Sequence, residues 1–271
     1  MKLSRRRFIK RLFYAGLGLA FLESFWVERY FVDFTYHKIG TENDHRIRIV
    51  QLTDLHLNYI GWGLTNAIQE ICHIQPDLIV LTGDVIEKKG KLDHLATFLK
   101  MLPMAIPKVA ILGNWEHWCE ERLDLLKNVY EDNQVTLLRN ENTSCRIKDK
   151  TIAISGCDDW RVQKADYKKA VSNLDTNDFH LLLTHCPVHK EEVLQEKGEE
   201  QIDLILSGHT HGGQITFFGK PLFIPSGCGH YMKGWFHEGN IPHYVCKGVG
   251  TSTVPFRLGA RSEIAVFDVY T

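Results

Sequence analysis

Five short apolar runs in this chain each end in a polar turn carrying Asp, His or Asn, and that repeated arrangement narrows the fold most. Ile49–Thr53 runs into Asp54 and His56, Asp77–Thr82 into Gly83 and Asp84, and Lys108–Leu112 into Gly113 and Asn114. Phe179–Thr184 runs into His185, and Asp203–Ser207 into Gly208, His209 and His211. Apolar runs of this length read as buried strands. Leu64, Ile68 and Ile71 fall at helical spacing and predict a helix over about 63–74, ended by Pro76. Further helices are expected near 91–101 and 120–131, with strand-like stretches at 135–138, 145–148, 151–155, 244–247 and 262–269. Strands alternating with helices predict an α/β layered sheet. In such sheets ligands bind beyond the carboxyl ends of the strands, so the five strand ends point at one crevice.

The last of these ends, Gly208 to Gln214, holds two histidines separated by one residue. In a continuing strand they would face opposite ways. Gly208, Gly212 and Gly213 indicate a turn that lets both imidazoles converge. With Asp54, His56, Asp84, Asn114 and His185 they make a set of four imidazoles, two carboxylates and one amide. Taken singly, each has an ordinary reading: a core histidine, a turn aspartate, a helix-capping asparagine. That reading has to hold at five strand ends at once. The set exceeds what one tetrahedral zinc takes and suits two cations sharing a bridging carboxylate. Mixed N/O ligation without thiolate points to Mn, Fe or Zn.

Composition bounds the rest. With 271 residues, 44% hydrophobic and 24% charged, the chain can bury one substantial core. A net charge of −1 gives no gross attraction to nucleic acid, so none is expected as a partner. The seven cysteines are scattered, odd in number and never spaced C-x-x-C, which reads as buried free thiols. No obligate protein partner is evident, and no domain boundary falls after residue 45.

In order and spacing, Asp54-Leu-His56, Gly83-Asp84, Gly113-Asn114, His185 and Gly208-His-Thr-His211 resemble the calcineurin-like metallophosphoesterases. The likeness extends to a bacterial membrane-associated phosphodiesterase branch through Gly208-His-Thr-His-Gly-Gly-Gln214, Gly248-Val-Gly250, Pro255-Phe-Arg257 and Glu263-Ile-Ala-Val-Phe267. The resemblance implies a four-layer αββα sandwich over residues 45–271, with the active site at the strand carboxyl ends. It implies that Asp54, His56 and His211 hold one metal, that Asn114, His185 and His209 hold another, and that Asp84 bridges them. The implied reaction is P–O bond hydrolysis of a phosphodiester or pyrophosphate. The alternatives are a phosphomonoesterase and a non-catalytic metal-binding protein on the same fold.

One position departs from the family pattern. Where the family has a leaving-group histidine after the asparagine ligand, this chain has Trp115, with Glu116 in the place of the paired acid. General acid catalysis is worth roughly 10² to 10⁴ in rate. Three readings stay open: His117, or else His230 or His237, protonates the leaving oxygen; the substrate's leaving group needs no proton; or the protein is slow or inactive. His117 and Glu116 are thus candidate catalytic residues, and Trp115 a candidate substrate contact. The UDP-2,3-diacylglucosamine hydrolases of lipid A synthesis, in the same superfamily, also lack this histidine and cleave a pyrophosphate in a membrane-bound lipid. Arg257 either holds a phosphate bidentately or braces Glu263. Residues 217–237 form a lid, an acyl-chain wall or a packed loop.

The N-terminus, Ser4-Arg-Arg-Arg-Phe-Ile-Lys10 followed by eleven apolar or small residues, resembles a twin-arginine export signal. Eleven residues are too few to cross a bilayer, and the aromatic stretch 23–33 suits the headgroup region. Residues 1–36 are therefore expected to be a signal or membrane anchor. The protein would be either exported by the twin-arginine route or held on the cytoplasmic face of the inner membrane.

Overall fold

A computed structural model describes residues 4–119 and 122–271. The strands, in chain order, are β1 (Asp33–Ile39), β2 (Arg46–Leu52), β3 (Leu78–Thr82), β4 (Lys108–Ile111) and β5 (Val135–Leu137). They continue as β6 (Glu141–Ile147), β7 (Lys150–Gly156), β8 (Phe179–Leu183), β9 (Leu204–Ser207), β10 (Thr216–Phe217) and β11 (Lys220–Pro221). The last are β12 (Gly234–Phe236), β13 (His243–Val245) and β14 (Glu263–Tyr270).

Two six-stranded sheets carry the fold, in the orders β1-β14-β2-β3-β4-β5 and β12-β13-β9-β8-β7-β6. The middle of each is parallel: β2, β3, β4 and β5 in the first, and β7, β8, β9 and β13 in the second. Parallel strands need crossover helices and end on one side, which places their polar turns together.

Period-two alternation sorts the strand side chains into layers. Ile47, Ile49, Leu78, Val80 and Val109 of the first sheet meet Ile152, Ile154, Leu181, Leu204 and Leu206 of the second. The opposite side chains of the first sheet, among them Val50, Leu52, Ile79 and Leu81, pack under Ile68, Ile71, Phe98 and Leu126 of the covering helices. On the outer face of the second sheet, Leu182 and Ile205 meet Tyr167, Ala170 and Val193. The result is the expected order of helices, sheet, sheet, helices.

The expected helices form as Trp62–Ile74, Leu92–Met101 and Leu123–Asp132. The expected start of the last one, at 120, lies outside the described residues. The elements not expected from the sequence include a helix and an edge strand. Helix His189–Glu196 follows directly on His185. The edge strand β1 pairs parallel with β14, from Asp33 against Glu263 to Ile39 against Val269.

The body's first sheet takes in Asp33 onward, so β1 overlaps the end of residues 1–36, the segment expected to be a signal or anchor. Part of the aromatic stretch is likewise packed onto the body. Glu28 and Ser24 are buried; Gly259 N donates to Glu28 Oε1 at 2.8 Å and Arg257 N to the Ser24 carbonyl at 3.1 Å. Ahead of it, Arg5–Leu22 forms one exposed helix, and residues 1–3 of the expected leader lie outside the described residues. Among the described residues no helix is long and apolar enough to cross a membrane.

Candidate metal centre

The two sheets are tied together next to the site. Gln51, on the inner face of β2, donates from Nε2 to Thr82 Oγ1 and to the Ser207 carbonyl, each at 2.9 Å. Beyond β2, β3 and β9 the chain turns sharply. Asp54, His56, Asp84, His209 and His211 all have positive φ, between 44° and 72°. This region is sparsely used by residues other than glycine, and its clustering here is typical of sites where the surroundings over-determine the backbone. Gly208 and Gly113 make the close approach possible: a Cβ on Gly208 would collide with Thr53 and Asp54, and one on Gly113 with Asp84.

These turns gather the expected residues into two buried triads, Asp54–His56–His211 and Asp84–His185–His209. Within each triad the candidate ligand atoms lie within 4.8 Å of one another. Asp84 Oδ2 is 3.1 Å from His185 Nε2 and 3.8 Å from His56 Nε2, so it stands between the two groups. Asn114 opens the short helix Asn114–Trp118, and both polar atoms of its side chain are buried without a partner.

The outer ring nitrogens of three histidines are held, which fixes the inner ones. His185 Nδ1 is 2.8 Å from the Thr82 carbonyl, and His209 Nε2 is 2.7 Å from the Ser226 carbonyl. A carbonyl only accepts, so each of these nitrogens carries a proton and the other nitrogen of its ring faces inward. His56 Nδ1 lies 3.0 Å from Glu87 Oε2, a carboxylate–histidine pairing typical of metal sites. The inner nitrogens then crowd: His56 Nε2 and His211 Nε2 are 3.0 Å apart, and His209 Nδ1 and His185 Nε2 3.2 Å. Each close pair is held either by a proton on one ring or by a cation between the two.

The electrostatics divide the four rings: burial opposes the charged form of His56 and His185, but Glu87 and Asp84 outweigh it at His56 and Asp84 at His185, raising both. Burial opposes ionisation of Asp84, but His185, His56 and His209 overcome it and hold its carboxyl at about 2. Burial raises Asp54. Burial and the neighbouring His185 push His209 down to about 3, while burial, His56 and Arg257 push His211 well down. Two neutral imidazoles and an ionised bridging carboxylate are cation ligands in waiting. The donor set and the orphaned Asn114 amide fit two divalent ions with nitrogen and oxygen ligands. Asp54, His56 and His211 would hold one, Asn114, His185 and His209 the other, and Asp84 would be shared.

The remaining candidates fall elsewhere. Glu116 is fully buried, and its carboxylate accepts from the amides of Gly113 at 2.8 Å, Asp84 at 3.0 Å, Ile86 at 3.2 Å and Val85. Burial and the charge of Asp84 push it up to about 7, against amides that favour its anion. Its hydrogen bonds pin two ligand loops together from inside the protein.

Arg257 is also fully buried, with its guanidinium donating to the carbonyls of Gly250, Ala260, Lys247, Gly248 and His211. These carbonyls, and not the Glu263 carboxylate, take its hydrogen bonds. His117 Nε2 pairs with Asp158 Oδ1 at 2.7 Å. His230 pairs with Glu238, and His237 stacks on Trp235.

A cavity of about 480 Å³ opens over the triads, with Asp84, Asn114, His209 and His211 in its floor. Trp115, Trp118, Leu222 and Phe223 line its sides. Trp115 stands edge-on to the His56 ring at 6.0 Å and to Trp118 at 5.6 Å. Among the described residues lining the cavity, the only imidazoles are those of His209 and His211. Sequence reasoning missed Arg161, which lines the cavity with its guanidinium 4.4 Å over the Trp118 ring. The signal was present: β7 runs into Asp158, Asp159 and Arg161, a sixth strand with a polar end.

Comparison with known proteins points the same way. The family model for "Calcineurin-like phosphoesterase" matches residues 47–213. The "Uncharacterized metallophosphoesterase YkuE" of Bacillus subtilis is 30% identical over 98% of this chain and 97% of its own. A metallophosphoesterase of Aquifex aeolicus is 28% identical over 94% of this chain and 95% of its own. The solved structure of TT1561 of Thermus thermophilus superposes with a TM-score of 0.52 at 18% identity, over 75% of this chain and 90% of that one, a likeness of fold.

Proposed function

The chain belongs to the calcineurin-like phosphoesterase family of metal-dependent phosphoester hydrolases, and we propose that it cleaves phosphodiester or pyrophosphate bonds whose leaving group departs unprotonated. The substrate class we favour is a membrane lipid carrying such a bond, of the UDP-2,3-diacylglucosamine kind, met at the inner membrane. The carrying observation is the cavity itself: members of both triads, Asp84, His209 and His211, form its floor, and no other imidazole lines it among the described residues.

Two divalent ions, when bound, supply Lewis acidity that activates water and offsets phosphoryl charge. The chain's own residues do the rest. Asp84 orders the two triads about one carboxylate oxygen. The Thr82 and Ser226 carbonyls and Glu87 hold the ligand rings in place. Arg161 offers the cavity a cation that suits a second phosphate or the charge on a departing group. Trp115 takes the place of a proton donor and, with Trp118, Leu222 and Phe223, makes an apolar wall that excludes water.

An alkoxide leaves badly from such a site, whereas a phosphate or an aryl oxide leaves without help. A substrate panel with Mn²⁺ tests this: UDP-diacylglucosamine and bis-p-nitrophenyl phosphate should turn over faster than alkyl diesters. Preference for simple monophosphates would make the protein a phosphomonoesterase. No hydrolysis with any metal by folded, metal-loaded protein would leave a binding protein on this fold.

A further inference from the structure

Next to the cavity, β10 and β11 form a small antiparallel hairpin that projects from the body. Its apolar side chains lie in solvent: Phe217 is 62% exposed, Phe218 92%, Leu222 71%, Phe223 73% and Ile224 58%. The Phe217 and Phe218 rings rest on each other at 4.7 Å. A contiguous apolar tip of this kind marks a surface that meets something apolar.

Three further observations say what it meets. Leu222 and Phe223 belong both to the tip and to the wall of the metal cavity, so whatever the tip enters is continuous with the site. From Leu204 to His237 the chain carries no acidic residue, while Lys220 sits in the hairpin and Lys233 follows it. The base of the hairpin is also tied to the root of the N-terminal helix. Thr216 N donates to the Leu258 carbonyl at 2.7 Å, and the flanking Arg257 and Gly259 amides donate to Ser24 and Glu28. The helix Arg5–Leu22 has no acidic residue in its first turn and carries Arg5, Arg6, Arg7, Lys10 and Arg11 beside exposed Phe8, Leu12 and Phe13. Apolar tips flanked by cations without anions suit the headgroup layer of an anionic bilayer.

We propose that the hairpin Ile215–Ile224 is a membrane wedge: Phe217 and Phe218 enter the headgroup layer of an anionic bilayer, and the lipid's phosphate group passes over Leu222 and Phe223 into the metal cavity. This rests on the reading of the site as one for a membrane-held phosphoester, and it adds the surface through which that substrate arrives.

The test compares the full chain with the F217S/F218S double variant on vesicles of phosphatidylcholine mixed with phosphatidylglycerol, read by co-sedimentation. The N-terminal helix is present in both, so the difference reports the hairpin alone. The double variant should partition at least about tenfold more weakly, since two exposed aromatic side chains lose their apolar solvent. Its hydrolysis of soluble bis-p-nitrophenyl phosphate should be unchanged, because neither side chain lines the cavity.

The variant K220E should weaken partition about fivefold on the mixed vesicles and leave pure phosphatidylcholine binding unaltered. Unchanged partition of the double variant overturns the proposal. So does a loss of self-association on sizing without a change in partition, which would assign the tip to a second copy of the chain. If partition falls as expected but neither protein hydrolyses any phosphoester, the wedge stands and the proposed activity falls.

Discussion

Gln51 in the first sheet donates to the Ser207 carbonyl in the second at 2.9 Å, directly below the turns that carry Asp54 and His209. This buried amide sets the height of one triad against the other. Asp54 then closes the join, accepting the His209 amide at 2.9 Å. The two sheets therefore meet the candidate metals as one rigid floor.

Asp84→Asn should remove the shared ligand charge. The expected outcome is near-zero hydrolysis of bis-p-nitrophenyl phosphate with Mn²⁺ and bound metal reduced to near nothing, read by elemental analysis. Full activity in this variant would refute the bridge.

Glu87→Gln should leave the fold intact and loosen His56. Its carboxylate lies 3.0 Å from His56 Nδ1. Outer partners of this kind are worth about 10- to 100-fold in metal affinity. Competition with a chromogenic chelator measures it, and an unaltered affinity would show that Glu87 does not orient the ring.

Trp115→His places an imidazole beside the cavity where the family's proton donor stands. Turnover of an alkyl diester relative to an aryl diester should rise by about tenfold or more, at the low end of what an acid catalyst supplies. An unchanged ratio would mean that leaving-group protonation is not what this site lacks.

Glu116→Gln should cost stability first. One carboxylate receives four backbone amides from the Asp84 and Gly113 loops. Replacing one acceptor oxygen by an amide N–H that faces those donors should destabilise the fold by about 1 to 3 kcal/mol. Urea unfolding at neutral pH reads it, and wild-type stability would contradict the pinning role.

His243 predicts an acid-sensitive fold. Burial, with Lys190 nearby, pushes its pKa down to about 3, and its Nε2 meets Ser207 Oγ at 2.8 Å. Between its ordinary value of 6.5 and about 3, the unfolded chain takes a proton that the folded one refuses. Stability therefore falls as pH drops through that window, by roughly 3 kcal/mol at pH 4 from this group alone, and is unaffected by it above about 6.5. Denaturant titrations across the window measure the slope, and His243→Gln should flatten it; an identical slope in the variant would remove His243 as the cause.

Much of this site was legible because a parallel sheet converts sequence spacing into spatial coincidence. Each apolar run fixed a strand, and each strand fixed where its Asp, His or Asn had to emerge. What stayed hidden depends on backbone detail. Nothing in Asn114-Trp-Glu116 announces that the glutamate turns back onto amides 30 residues away in sequence, from Asp84 to Ile86. Arg257 looked available because arginines usually are, yet its donors serve the carbonyls of bent loops. β1 escaped notice because Asp33–Ile39 is only half apolar, as an edge strand can be, and it follows an aromatic stretch that suggested a membrane.

The carboxylate of Glu116 has a last consequence. Since it holds the Asp84 and Gly113 loops from inside the protein, the backbone that carries these ligands is fixed by the fold's own hydrogen bonds. Loading the enzyme should then proceed through the cavity that Trp115 and Phe223 line and not by refolding, so exchange of one metal for another should proceed without loss of the native state.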